Sequence, residues 1–131
     1  MKLRIRGNSL RLRLTRTEIA ELVATGIVEN QVQLGEQPGC ALAYRLELSD
    51  TVTKPTTIFR ASQLCIHLPS NEAKDWARNE TVGICGEENW GLKLIIEKDF
   101  KCLDPRLDED ESDAFENPGG ITHAGCATAS D

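Results

Sequence analysis

Apolar and polar positions change period twice in each half of this chain. Leu10, Leu12 and Leu14 alternate with Arg11 and Arg13, the period of a half-buried strand, and Ile19, Leu22 and Val23 then stand at i, i+3, i+4, the period of an amphipathic helix. The same change recurs 54 residues later. Leu64, Ile66 and Leu68 alternate with Cys65 and His67, and Ala73, Trp76 and Ala77 follow at helical spacing. The shared pattern predicts a duplicated ββαββ unit, with halves at about 1–49 and 55–100.

Turn chemistry places the elements. Gly7-Asn8 suits a two-residue hairpin between Lys2–Arg6 and Ser9–Leu14. Pairing Arg6 with Ser9 sets Ile5 against Leu10, Leu3 against Leu12, Arg4 against Arg11 and Lys2 against Arg13, which puts the aliphatics on one face and the cations on the other. Thr15 with Glu18 is a capping box and Gly26 a left-handed stop, so the first helix covers about Arg16–Thr25. Strands are expected at Val28–Leu34 and Ala41–Leu48 around the turn Gly35–Gly39. Ser49–Pro55 joins the halves. The second half then reads as strands Thr57–Arg60 and Gln63–Leu68, a helix at about Asn71–Arg78 capped by Ser70, a strand through Val82 and Ile84, and a last strand through Leu92, Leu94 and Ile96.

Charge alters this picture at both ends. The net charge is −6, yet residues 1–16 carry six cations and no acid, while residues 104–131 carry a net −7. Lys2, Arg4, Arg11 and Arg13 are therefore the candidate site, a basic hairpin face that needs counter-charge. It can come from the chain itself, through Asp108–Glu116 folding back or Glu29 and Glu47 on neighbouring strands. It can also come from a partner, either an acidic protein surface or nucleic acid. A chain that is acidic overall is an unusual dedicated nucleic-acid binder.

The remaining chemistry is sparse. No apolar run approaches the roughly 20 residues that span a bilayer, and the opening MKLRIRGNSL lacks the continuous apolar stretch of a secretory signal, so no membrane partner is expected. Five cysteines without a CxxC pair favour reduced thiols and a cytoplasmic location, with Cys65 and Cys85 acting as small buried apolar groups. His123-x-x-Cys126 offers two metal ligands without a complement, and Asp108, Asp110 and Glu111 lack the spacing of a calcium loop. No phosphate loop, GxSxG, HExxH or GxGxxG is present. Trp90 lies in a turn, as an exposed anchor or a cap on the end of the fold. No catalytic residue, metal or cofactor is assigned.

The opening Lys2-Leu-Arg-Ile-Arg-Gly-Asn-Ser-Leu-Arg-Leu-Arg-Leu14, the run Glu97-Lys-Asp-Phe-Lys-Cys-Leu103, and Pro105-Arg106, Glu109-Asp110, Asp113-Ala-Phe115 and Asn117-Pro118 resemble a family of small uncharacterised bacterial proteins. The resemblance covers most of the chain up to Pro118. It implies no activity, but it implies that the acidic segment belongs with the domain.

The expected architecture is α+β. Residues 1–103 form one domain of two pseudo-repeats, a mostly antiparallel curved sheet or barrel with two short helices, followed by an acidic, partly flexible tail over 104–131. The expected function is a small non-catalytic binding or interaction module using the basic hairpin face. One alternative is an enzyme or small-ligand carrier with a site between the halves, through His67, Cys65 or the acidic segment. A second is a DNA-binding regulator, since the duplicated pattern resembles swapped-hairpin and double-psi families at the level of fold alone.

Overall fold

The computed structural model describes residues 1–100 and 113–116. In order along the chain it contains β1 (Lys2–Arg6), β2 (Ser9–Leu14), α1 (Arg16–Thr25), β3 (Ile27–Gln33), β4 (Ala41–Ser49), β5 (Thr56–Arg60), β6 (Gln63–Pro69), α2 (Ser70–Arg78), β7 (Gly83–Glu87) and β8 (Lys93–Lys98). The fold is α+β, and the order of elements reads ββαββ twice.

Local chemistry accounts for the first half. The β1–β2 hairpin pairs Lys2 with Arg13, Leu3 with Leu12, Arg4 with Arg11 and Ile5 with Leu10, the register that Gly7-Asn8 predicts. Only Gly7 of that turn takes a positive φ, +55°. Helix α1 opens on a reciprocal capping box, in which the Thr15 hydroxyl accepts from Glu18 N–H and the Glu18 carboxylate accepts from Thr15 N–H. It closes at Gly26, whose φ of +86° lets its N–H reach Leu22 C=O at 2.8 Å. Ile19 and Leu22 are buried, whereas Val23 turns outward.

The second half reaches the same outline with different turn residues. The β5–β6 hairpin turns on Ala61 and Ser62, both at positive φ (51° and 62°) although neither is glycine. Helix α2 has Pro69 at its N-cap with no side-chain cap bond, which corrects the expectation that Ser70 caps it. Ser70 is already the first helical residue. Trp76 is fully buried and donates through Nε1 to Val82 C=O at 3.1 Å.

Long-range pairing is where the architecture departs from expectation. There is no closed barrel. The strands form two four-stranded sheets, ordered β1-β2-β8-β7 and β3-β4-β6-β5. Each sheet takes one hairpin from each half of the chain, joined by a central parallel pair, β2 with β8 or β4 with β6. Pairing is otherwise antiparallel. The exchange has a simple physical basis: a two-stranded ribbon is marginal alone, and edge-to-edge joining of two hairpins gives each sheet enough width to bury a face. One core results, in which Leu12, Leu14, Leu94 and Ile96 of the first sheet meet Leu46, Ile66 and Leu68 of the second, with Ile19, Leu22, Ala73 and Trp76 from the helices.

Residues 113–116 lie against α1 and the end of β8. Asp113 accepts from Thr17 N–H and Oγ1 at 3.2 and 3.0 Å, its carbonyl accepts from Arg16 N–H, and Phe115 N–H donates to Asp99 C=O. Phe115 stacks edge-on with Phe100 and lies under the Arg16 guanidinium and the Lys98 ammonium. This places Asp113 at the end of β2 farthest from the Gly7-Asn8 turn. The rest of the proposed Asp108–Glu116 strap, and the wider tail, fall outside the described residues.

Candidate functional site

Among the described residues, the acids that meet the expected basic residues are Glu97 on β8 and Asp99 just after it. Parallel pairing sets Arg13 opposite Glu97 and Arg11 opposite Ile95. Glu97 Oε1 accepts from Arg13 Nε at 2.8 Å and lies 3.6 Å from an Arg11 terminal nitrogen, while Asp99 takes Lys2 Nζ at 3.2 Å. Arg11 and Glu97 are buried at 5% and 2% exposure, so the cluster is desolvated at its centre, while Lys2 and Arg13 keep part of their side chains in the open. Arg4 alone of the four stays exposed without an ion pair among the described residues. Glu29 and Glu47, the other expected counter-charges, lie on the second sheet.

There they form a different cluster with β6. Parallel pairing sets Glu47 opposite His67 and Arg45 opposite Cys65. Glu47 Oε2 lies 3.7 Å from Cys65 Sγ and 3.7 Å from His67 Nε2, and Cys65 Sγ is 3.8 Å from the same His67 nitrogen. Arg45 Nε is 3.3 Å from Glu47 Oε2, and its NH1 is 3.6 Å from Glu29. Arg45 Nε is nonetheless buried without a hydrogen-bond partner, so proximity to Glu47 does not amount to an aligned bond. Burial, together with the charge and hydrogen bond of Glu47, pushes the Cys65 thiol above its ordinary value.

That geometry decides between two chemistries. A nucleophilic Cys-His-carboxylate triad needs the acid on one imidazole nitrogen and the sulfur on the other. Here both approach Nε2, and the thiol is pushed above its ordinary value, so the arrangement differs from such a triad. The three atoms converge instead on a common point. Glu47, Cys65 and His67 form the group of metal-ligating type among the described residues.

A third feature lies between the sheets. Leu3, Ile5 and Leu10 of the first hairpin face Leu42, Phe59 and Leu64 of the second sheet across a groove of about 370 Å³, and Trp90 and Leu92 line it from the β7–β8 turn. Two contacts hold that turn in place: Thr57 N–H donates to the buried Glu88 carboxylate at 2.9 Å, and Lys93 N–H donates to Asn8 C=O at 3.0 Å. Ile5, Phe59 and Trp90 remain 65%, 67% and 64% exposed. The hairpin register predicts Ile5 on the aliphatic face of its strand, and Phe59 holds the matching place on β5. They surface because each sits near a hairpin tip, beyond the reach of the facing sheet.

Cysteine states divide. Cys40 and Cys65 are free, whereas Cys85 is disulfide-bonded and only half-buried. The expectation of a reduced, buried Cys85 is therefore corrected. His123-x-x-Cys126 and Asp108, Asp110 and Glu111 lie outside the described residues. No helix among the described residues is long and apolar enough to cross a membrane.

An α+β module of two mixed sheets, with a charged cluster on each central parallel pair and an apolar groove between hairpin tips, is the class these observations define. The chain belongs to the family of unknown function DUF7009, whose model matches residues 1–119. That membership bears out the resemblance carried by the opening and closing motifs. No curated protein and no solved structure matches the chain.

Proposed function

We propose that this protein is a small non-catalytic interaction module and that its docking surface is the groove between the hairpin tips, with cations of the basic hairpin at its rim. The observation that carries this reading is the exposure of Ile5, Phe59 and Trp90 around one apolar groove, since large aromatic and aliphatic side chains gathered in the open mark contact sites. The hairpins that border it end in Arg6 and Arg60, each the next residue after a groove-lining side chain. With Arg4, these make no ion pair among the described residues. β1 and β5 are also sheet edges, with backbone groups open to pairing. The occupant that fits is an extended, acidic and apolar segment of a partner protein, bound by strand addition and by side chains seated in the groove.

Pairing of Arg11 and Arg13 with Glu97 weakens the nucleic-acid alternative, because phosphate binding draws on unpaired cations. Free Cys40 and Cys65 fit the expected cytoplasm, while the disulfide at Cys85 fits an oxidising compartment; thiol counting on freshly isolated protein separates the two.

The test uses a synthetic peptide alternating Leu or Phe with Asp or Glu, titrated while following Trp fluorescence. Trp76 is buried, so Trp90 reports the groove. Binding that weakens with salt and is lost in Phe59→Ser supports the reading. No binding, or binding indifferent to Phe59→Ser, overturns it. Tight, salt-dependent binding of duplex DNA would move the assignment to a DNA-binding regulator, and self-association lost in Phe59→Ser would make a second copy the occupant.

A further inference from the structure

We infer that Glu47, Cys65 and His67 form a binding site for a borderline-soft divalent metal ion, zinc being the natural occupant, on the outer face of the β4–β6 pair and separate from the groove. Tetrahedral coordination with bonds of about 2.0–2.3 Å sets neighbouring ligand atoms about 3.3–3.6 Å apart. The observed separations are 3.7 Å for Glu47 to Cys65, 3.7 Å for Glu47 to His67 and 3.8 Å for Cys65 to His67. Contractions of a few tenths of an ångström, within the reach of side-chain torsions, bring all three onto one ion.

The donor set selects the metal. A thiolate, an imidazole and a carboxylate suit zinc or cobalt, whereas an all-oxygen cage would suit calcium or magnesium. Rigid positioning favours the site as well. Cys65 and His67 are two apart on β6 and so project from one face, and the parallel register fixes Glu47 beside them. All three sit on central strands, not loops.

Arg45 is the apparent objection, since a guanidinium beside the site repels a cation. Its contact with Glu47 is not an aligned hydrogen bond, and Glu29 waits 3.6 Å away on β3. On metal binding Arg45 keeps Glu29 as its partner and yields Glu47. The cluster then balances: two positive charges from the metal and one from Arg45 meet three negative charges from the thiolate, Glu47 and Glu29. The Cys65 proton passes to solvent as the sulfur bonds the metal, which removes the thiol form that burial and Glu47 otherwise favour. Three protein ligands leave a fourth position for water or a ligand atom.

The experiment is a titration of the full chain with cobalt(II), followed by the thiolate charge-transfer band in the near ultraviolet and the intense visible bands of tetrahedral cobalt, then displacement by zinc. Expected are one equivalent of both signals, a higher melting temperature with zinc, loss of the charge-transfer band in Cys65→Ser, and affinity at least about tenfold weaker in His67→Ala and Glu47→Gln. The His123→Ala/Cys126→Ser variant is expected to bind as the wild type does. Absence of a thiolate band in folded wild-type protein overturns the proposal. A band that survives Cys65→Ser, or that disappears in the His123→Ala/Cys126→Ser variant, does so equally by placing the metal elsewhere. Circular dichroism of each variant confirms the fold.

Discussion

The two central parallel pairs invite comparison. Arg11 and Arg13 on β2 stand 54 residues before Cys65 and His67 on β6, and in each pair a glutamate from the neighbouring strand lies opposite the second member: Glu97 opposite Arg13, Glu47 opposite His67. One backbone arrangement thus carries two chemistries. In the first sheet the carboxylate meets two guanidinium groups in a buried cluster that holds the strands in register. In the second it lies beside a thiol and an imidazole as well as Arg45, and the three ligand-type atoms converge on one point. What a side chain does here depends on its neighbour across the parallel pair more than on its own position.

The sharpest way to break that comparison is to remove each carboxylate in turn. Glu97→Gln removes a carboxylate from beside buried Arg11 and from Arg13, and the expected loss is about 3 kcal/mol in urea unfolding. Glu47→Gln touches a half-exposed pair and is expected to cost about 1 kcal/mol or less in metal-free protein. Equal costs would mean that the two clusters are energetically alike.

The hairpin turns differ more modestly. Gly7→Ala is expected to lose about 1 kcal/mol by forcing a side chain to positive φ, while Ala61→Gly is expected to gain about 0.5 kcal/mol by relieving the same conformation. Melting temperatures moving in opposite directions check it. The helix starts come next. Thr15→Ala is expected to lose about 1 kcal/mol and Ser70→Ala no more than a few tenths, since only Thr15 makes a capping bond.

The smallest effect concerns Asp113, on the strap across α1. Its desolvation is outweighed by hydrogen bonds from Thr17 and Thr15 and by the nearby Arg16 charge, which together hold the carboxyl below its ordinary value. A carboxyl lowered in the folded state adds stability at pH above its unfolded value of about 3.9, and that stability is lost as pH falls through the folded value. Asp113→Asn is therefore expected to flatten the acid limb of the stability curve and to leave pH 2 stability unchanged. An identical acid limb in both proteins would remove the anchor.

Much of the local structure was legible before the fold. The Gly7-Asn8 register, the limits of α1 and its two caps follow from residues within a turn or two of one another, where backbone sterics and capping bonds decide the outcome. The joining of β2 to β8 and of β4 to β6 was not legible, because alternation says which face a strand buries and nothing about which strand lies beside it. That single gap hid Glu97 as a counter-charge. Glu97 alternates with Leu94 and Ile96 of the core, on the side of Lys93 and Ile95, yet only the parallel pairing brings it to Arg11 and Arg13. The same gap hid the metal-type cluster: Cys65 and His67 were visible as neighbours on one face, and Glu47 as an acid on a nearby strand, but no local rule set the three atoms within 4 Å. A barrel was expected because eight strands in sequence order can close, whereas exchange of hairpins between halves divides them into two sheets.

X-ray absorption at the zinc edge, on the zinc-loaded full chain, bears most directly on the claim that the second sheet replaces an ion cluster with a coordination site. The account expects one sulfur scatterer at about 2.3 Å and nitrogen or oxygen scatterers at about 2.0–2.1 Å, with the sulfur shell lost in Cys65→Ser. A shell of oxygen and nitrogen alone in the wild type, or a sulfur shell that persists in Cys65→Ser, would contradict it.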